Sequence, residues 1–213
     1  MGCAGMKAEF TQIYETNRWG GRVSRSGKGS DPEQTRVLVP SLKRLIARRD
    51  IHSVVDLGCG DLLWMWDIIG GLETYVGVDI VHDEIEENRV RYGYQGIGFT
   101  EADATRYLIP TVDAILCRDV LCHLEYEDAL RLIENVKKSK STWFIAGTYP
   151  KPGRENPVDL FAPGQMRWYP PVLTRPPFNL PEPEEMLFEG GMKQFVPGFE
   201  DKSLGVWRVE NMK

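Results

Sequence analysis

The sequence is short of cysteine, has no surplus of positive charge and contains no long apolar run. Its four cysteines, Cys3, Cys59, Cys117 and Cys122, show no paired spacing, which argues against a disulfide scaffold and for reduced thiols in a cytoplasmic protein. Cys117, Cys122 and His123 are close neighbours, but no fourth ligand follows at zinc-like spacing, so no metal is expected. A net charge of −5 argues against a broad nucleic-acid surface, which would need basic patches. No stretch approaches the length of a membrane span, and no secretory signal is visible. Met1-Gly2-Cys3 opens like a myristoylation site, but Met6 stands where Ser or Thr is needed. No internal repeat is present. The 213 residues suffice for one domain with a sizeable core.

What is present is organised around Val54-Val55-Asp56-Leu57-Gly58-Cys59-Gly60-Asp61. A β-branched apolar run ends in an acid and a Gly-x-Gly turn, and a helical pattern follows over residues 61–69. Strand, tight turn and helix in that order mark the place where an open α/β sheet binds a cofactor. A second strand, Tyr75-Val76-Gly77-Val78-Asp79-Ile80, ends in an acid about 20 residues past the turn, the distance suited to a carboxylate on a ribose diol. A dinucleotide site would need a third glycine where Leu63 stands. Asp61 would also repel a pyrophosphate, but not the ammonium and sulfonium of S-adenosylmethionine.

These residues, with Glu101-Ala102-Asp103-Ala104 and the stretch 112–124, resemble the class I S-adenosylmethionine-dependent methyltransferases in order and spacing. The resemblance implies a seven-stranded Rossmann-like doubly wound α/β sheet whose last strands include an antiparallel one, with S-adenosyl-L-methionine as cofactor. Further stretches are similar to a bacterial subgroup linked to polysaccharide and glycan modification. They are Ile13-Tyr14-Glu15-x-Asn17-x-Trp19-Gly20, Ser26-Gly27-x-Gly29-Ser30, Gly60-Asp61-x-x-Trp64-Met65, Cys117-Arg118-Asp119, Arg154-x-Asn156, Pro177-Phe178-Asn179 and Asp201-Lys202-Ser203-Leu204-Gly205. A longer proline-rich insert over 163–176 departs from that subgroup.

The rest of the chain divides accordingly: N-terminal helices and a Gly/Ser-rich segment over 1–50, a cofactor-binding core over 51–149, a substrate-side insert over 150–190 and terminal strands over 191–213. Residues 7–17 read as a helix. Residues 18–30 carry glycines, serines and several cations. They form either a solvated connector or a mobile lid whose N–H groups and cations meet an anion. Asp31-Pro32-Glu33 signals a helix start with Asp31 as N-cap, and Pro40 should kink or split that helix. Trp64 and Trp66 read as core or cofactor wall, core being favoured. Helices are expected over 83–92 and 126–137 and strands over 97–101, 111–117 and 142–147. A short helix over 182–188 and strands over 193–196 and 203–209 complete the pattern.

Ligands in such sheets sit beyond the carboxyl ends of the strands, which gathers Asp56, Asp79, Asp103 and Arg118-Asp119. By resemblance, Asp79 accepts the ribose hydroxyls, Asp103 the adenine amino group beside the Ala104 backbone, and Ile80 packs on adenine. Asp56 orients the turn of Gly58, Gly60 and Asp61 and faces the methionine ammonium, and Arg118 belongs to the same cofactor site. Methyl transfer needs alignment, and a hydroxyl nucleophile needs a base. Asp119 and His123 are the candidates, four apart on what would be one helical face. His123 is otherwise a loop-holding residue and Asp119 a loop anchor or metal ligand. Arg154, Asn156, Asp159 and Arg167 either line the acceptor pocket or serve as loop residues. The expected reaction is methylation of a small polar acceptor, first a sugar or glycan hydroxyl. N-methylation of a small amine or phosphoramidate, or cofactor binding without catalysis, are the alternatives. The Asn/Asp-Pro-Pro-aromatic tetrad that resemblance would lead one to expect for exocyclic base amines is absent.

Overall fold

The computed structural model describes residues 3–94, 96–161, 167–190 and 198–213. Seven strands form one sheet in the order β3-β2-β1-β4-β5-β7-β6. The strands are β1 (Ser53–Leu57), β2 (Thr74–Asp79), β3 (Ile97–Glu101), β4 (Ala114–Cys117), β5 (Trp143–Thr148), β6 (Glu185–Phe188) and β7 (Ser203–Arg208). The first five are parallel, and β7 runs antiparallel to both β5 and β6. This is the doubly wound arrangement with an antiparallel strand that the sequence led us to expect. The central strands are buried on both faces and so read as unbroken apolar runs; all six residues of β5 are buried.

Alternation along each strand feeds two cores. Val55, Leu57 and Ile115 face α6 (Tyr126–Ser139), whose Ala129, Leu132, Ile133 and Val136 supply its apolar stripe. Val54, Tyr75 and Leu116 face α3 (Leu38–Arg48) through Leu38, Leu42 and Leu45, together with Ile68 and Ile69 of α4 (Trp66–Ile69). The helix α1 (Cys3–Thr16) packs Phe10 against the first of these cores. The polar helix α5 (His82–Tyr92) follows β2.

Several local expectations are corrected. Residues 61–69 do not form one helix; Leu62 has φ 57, and only Trp66–Ile69 is helical. The Asp61 carboxylate is drawn away from a helix by a tertiary and a local bond: it accepts the N–H of Arg25, 36 positions away, at 2.9 Å and that of Leu63 at 3.2 Å. The segment expected to be helical over 182–188 contains β6, whose Leu187 pairs with Leu204. Long-range pairing there overrides a helix-prone composition. The helix starting at Asp31 is split into α2 (Pro32–Thr35) and α3, the break preceding Pro40. Asp31 does not cap it through its side chain; its carboxylate turns back to accept the N–H groups of Arg22, Val23 and Ser24, each at 3.2 Å. The strand expected over 193–196 lies outside the described residues. No helix among the described residues is long and apolar enough to cross a membrane.

Candidate functional site

A cleft of about 960 Å3, open mouth included, lies beyond the carboxyl ends of β1, β2, β3 and β4. Its floor includes Asp56, Gly58, Gly60, Asp79, Ile80, Asp103, Ala104 and Arg118, all sequence candidates, and Asp119 and His123 also line it. Asp61 does not; its carboxylate is the tether described above. The roof is made by α1, through Met6, Phe10 and Tyr14, and by the segment 18–30, through Trp19, Arg25 and Ser26. This strap lies pinned across the cleft. Gly60, at φ 56, passes so close that a Cβ there would lie 2.2 Å from Ser26 Oγ, and Gly58, at φ 73, would clash with Val120.

At the β1–β2 end the cleft collects carboxyls. Asp56 is 2% exposed, and its Oδ2 accepts a 2.8 Å bond from the Tyr75 hydroxyl. Burial raises its pKa to about 7; the Tyr75 bond opposes the rise and the Asp79 charge adds to it. Burial also raises Asp79, against the N–H groups of Val81 and Gly60 that its two oxygens accept at 3.1 Å. Glu84 is driven up by burial and then by Asp79 and Asp61, while the Ser26 hydroxyl donates to it at 3.1 Å. A cation in this space would relieve all three. At the end of β3, Asp103 Oδ1 accepts both the N–H and the hydroxyl of Thr105, at 2.8 and 2.7 Å. Asp103 Oδ2 is buried with no hydrogen bond, its nearest charge being Arg106 at 3.8 Å. A buried acceptor without a donor fits an amino group supplied by a ligand. The residues present therefore fit an adenosyl group bearing positive charge, as S-adenosylmethionine does.

The β4 end is organised differently. Arg118 donates to both oxygens of Glu189 at 3.2 and 2.7 Å, donates to the Gly29 carbonyl of the strap at 2.7 Å, and lies over the Trp64 ring. Lys202 Nζ meets Asp119 Oδ2 at 2.5 Å and Glu189 at 3.4 Å. Arg118, Glu189 and Lys202 are each 3% exposed or less at the side chain. Burial alone would raise the Asp119 carboxyl, but Lys202 and then Arg118 outweigh it and hold it well below the ordinary range. Asp119 is thus a fixed anion and a weak proton acceptor.

Asp119 has φ 57 and precedes the 3-10 turn Leu121–His123, so it and His123 do not sit on a regular helical face. The half-buried His123 ring stacks on Trp19 with centroids 5.0 Å apart and an interplanar angle of 25°. Its Nδ1 lies 2.5 Å from the Arg167 carbonyl, which can only accept, so Nδ1 carries the proton. Nε2 forms no hydrogen bond among the described residues. Burial lowers the His123 pKa, the Arg167 carbonyl and Asp119 opposing, so the ring is neutral at neutral pH.

None of the four acceptor-side candidates lines the cleft. Arg154 is bound to Asp201 at 2.7 Å and to the Gly198 carbonyl. Asn156 clips the loop around the Val172 N–H and the Pro176 carbonyl. Asp159 is exposed on the insert. Arg167 donates to the His123 carbonyl at 2.7 Å and so holds the turn that carries the imidazole. Sequence reading missed Ser26, Glu84, Glu189 and Lys202. These join through contacts spanning up to 83 positions, for which no local pattern exists. Cys59, Cys117 and Cys122 are free and buried.

The family model described as Methyltransferase domain matches residues 54–139, which run from β1 to the end of α6. No curated protein matches the chain. Among solved structures the chain is similar to the N-methyltransferase NodS from Bradyrhizobium japonicum WM9, at 18% identity over 86% of this chain and 99% of that one, with a TM-score of 0.59. NodS in complex with S-adenosyl-L-homocysteine gives 16% identity, coverage of 65% and 72%, and a TM-score of 0.55. Magnesium protoporphyrin IX methyltransferase from Synechocystis PCC 6803 with bound S-adenosylmethionine gives 20% identity, coverage of 70% and 79%, and a TM-score of 0.54. At these identities the likeness is one of fold.

Proposed function

We propose that this chain is an S-adenosylmethionine-dependent methyltransferase of class I type and that it methylates the nitrogen of a small polar amine; the methyltransferase-domain model matching residues 54–139 supports the first part. The observation that carries the reading is His123: a neutral imidazole on the cleft, with Nδ1 committed to the Arg167 carbonyl and Nε2 left as an acceptor. The bound cofactor supplies an electrophilic methyl group on a sulfonium. Asp79 accepts the ribose hydroxyls, Asp103 Oδ2 accepts the adenine amino group, Ile80 and Ala104 flank the ring, and Asp56 faces the ammonium. Arg118 supports this site indirectly, tying β4 to Glu189 and the strap.

An amine that arrived protonated would have to give a proton to His123 Nε2 before its lone pair could take the methyl group that the cofactor would supply. Asp119, kept ionised by Lys202, stabilises the imidazolium that results. NodS, similar over nearly its whole length, is an N-methyltransferase, which agrees with this choice. A second reading, a sugar hydroxyl, is favoured by the flat walls of Trp19 and Phe10 at the roof, which suit a sugar ring. Incubation with methyl-labelled cofactor and a panel of small amines, amino sugars, neutral sugars and RNA distinguishes these. Label on an amine nitrogen is the expected result. Label on neutral sugar oxygen alone would favour the second reading, and preferential labelling of RNA would overturn both.

A further inference from the structure

The glycine turn, the usual cradle for the amino-acid tail of such a cofactor, has no spare donor. The N–H groups of Gly58 and Cys59 bond the Val78 carbonyl at 2.7 and 3.1 Å. Gly60 N–H goes to Asp79, and Asp61 N–H goes to Ser26 Oγ at 2.9 Å. The strap above is equally committed. Arg22, Val23 and Ser24 donate to Asp31, Arg25 donates to Asp61, and Ser26 donates to Ser24 Oγ. A carboxylate entering here would meet Asp56, Asp79 and Glu84 and no free backbone N–H of residues 58–61 or 22–26. It requires a cation.

Two arginines line the cleft among the described residues. Arg118 is consumed by Glu189, Asp119 and the Gly29 carbonyl. Arg25 forms no ion pair among the described residues; its guanidinium rests over the Tyr14 ring, 5.4 Å from the centroid, with one long 3.5 Å approach to the Tyr14 carbonyl. Its own backbone is tied to Asp61, and the hydroxyl of the next residue, Ser26, bridges the Asp61 N–H and Glu84. The backbone that carries this cation is thus tied beside the turn, and the guanidinium, uncommitted to any carboxylate among the described residues, lines the same cleft. We propose that Arg25 receives the α-carboxylate of the cofactor's methionyl tail, with Asp56 of the same cleft taking the ammonium. The guanidinium fork can grip a carboxylate through two parallel bonds, which a free turn N–H cannot do. The proposal rests on the cofactor reading above and assigns to the strap a part in cofactor selection.

The test pairs Arg25→Met with removal of one group from the ligand. Calorimetric affinities of wild type and variant are compared for S-adenosylmethionine and for its decarboxylated form, which keeps sulfonium and ammonium. Arg25 is exposed, so the variant should fold. About tenfold weaker binding of S-adenosylmethionine by Arg25→Met, with the decarboxylated ligand unaffected and Arg25→Lys intermediate, is the expected result. Equal weakening for both ligands would mean that Arg25 only holds the strap, and no weakening would mean that the carboxylate lies elsewhere; either overturns the proposal. A wild-type chain that binds neither ligand would instead sink the cofactor reading on which it stands.

Discussion

Where β1 and β2 end, Asp56, Asp79 and Glu84 share the cleft with no arginine or lysine bonded to any of them among the described residues. Where β4 meets β7, Asp119 and Glu189 are matched by Arg118 and Lys202. Two regions of one sheet edge thus bury ionisable groups in opposite ways. The first leaves a deficit of positive charge that a sulfonium and an ammonium can fill, so its electrostatics are completed by a ligand. The second closes on itself and holds β4, β6, β7 and the strap in register whether or not a ligand is bound. A buried charge stripped of its partner is costly, whereas a carboxyl that can take up a proton has another way out.

The largest effect should come from breaking the closed region. Lys202→Met leaves Asp119 and Glu189 short of counter-charge and should cost about 3–5 kcal/mol, read as a lowering of Tm by roughly 10 °C in thermal denaturation. Adding Glu189→Gln should recover part of the loss; an unchanged Tm in the single variant would show that the two regions do not differ as described. His123 stands where they meet. His123→Ala should lower kcat about 100-fold while leaving S-adenosylhomocysteine binding intact. The wild-type rate should hold down to about the ordinary histidine value of 6.5 and fall below it, since the base must be neutral and its pKa is lowered. The variant should lack that limb.

In the open region the effects fall on the ligand rather than on the fold. Asp103→Asn, which can keep an oxygen on Thr105 while putting an amide N–H in place of the unpaired acceptor, should weaken S-adenosylhomocysteine about tenfold, as loss of a hydrogen bond to a charged group does, with little change in Tm. The smallest effect is a pH dependence. Between its unfolded value of 3.8 and its folded value of about 7, Asp56 holds a proton in the folded state that the unfolded chain has released. Stability without ligand should therefore decline as pH rises through that window. Affinity for S-adenosylmethionine should increase several-fold from pH 6 to 8, because the cation favours the ionised carboxyl. Asp56→Asn should flatten both curves; a flat wild-type binding curve would remove Asp56 from the deficit.

Much of the open region was legible in the sequence, because its acids sit at strand ends defined by local apolar runs: Asp56 is the last residue but one of β1, Asp79 closes β2 and Asp103 follows β3. The closed region was not, since Arg118 meets Glu189 across 71 positions and Lys202 meets Asp119 across 83. Local patterns also failed where a distant contact decides the backbone. Asp61 looked like a helix start but is spent on the strap, and the residues around Leu187 looked helical but complete the sheet through Leu204. Arg154 and Asn156 had residue types suited to a pocket, yet their polar groups are used within loops. Side-chain chemistry can be read from a string; where that chemistry points cannot.

The strap supplies no strand to the sheet, yet it forms a wall of the cleft, and Ser26, Arg25 and the Gly29 carbonyl are its attachment points. On the proposed reading, the nucleoside would be gripped at the strand ends, while one wall of the remaining space comes from a separate length of chain. On the same reading, substitutions at Trp19 or Phe10 would reshape that wall without touching Asp79 or Asp103. A laboratory seeking new acceptors would diversify Trp19 and Phe10, keep Arg25 and Ser26, and leave the strand ends alone.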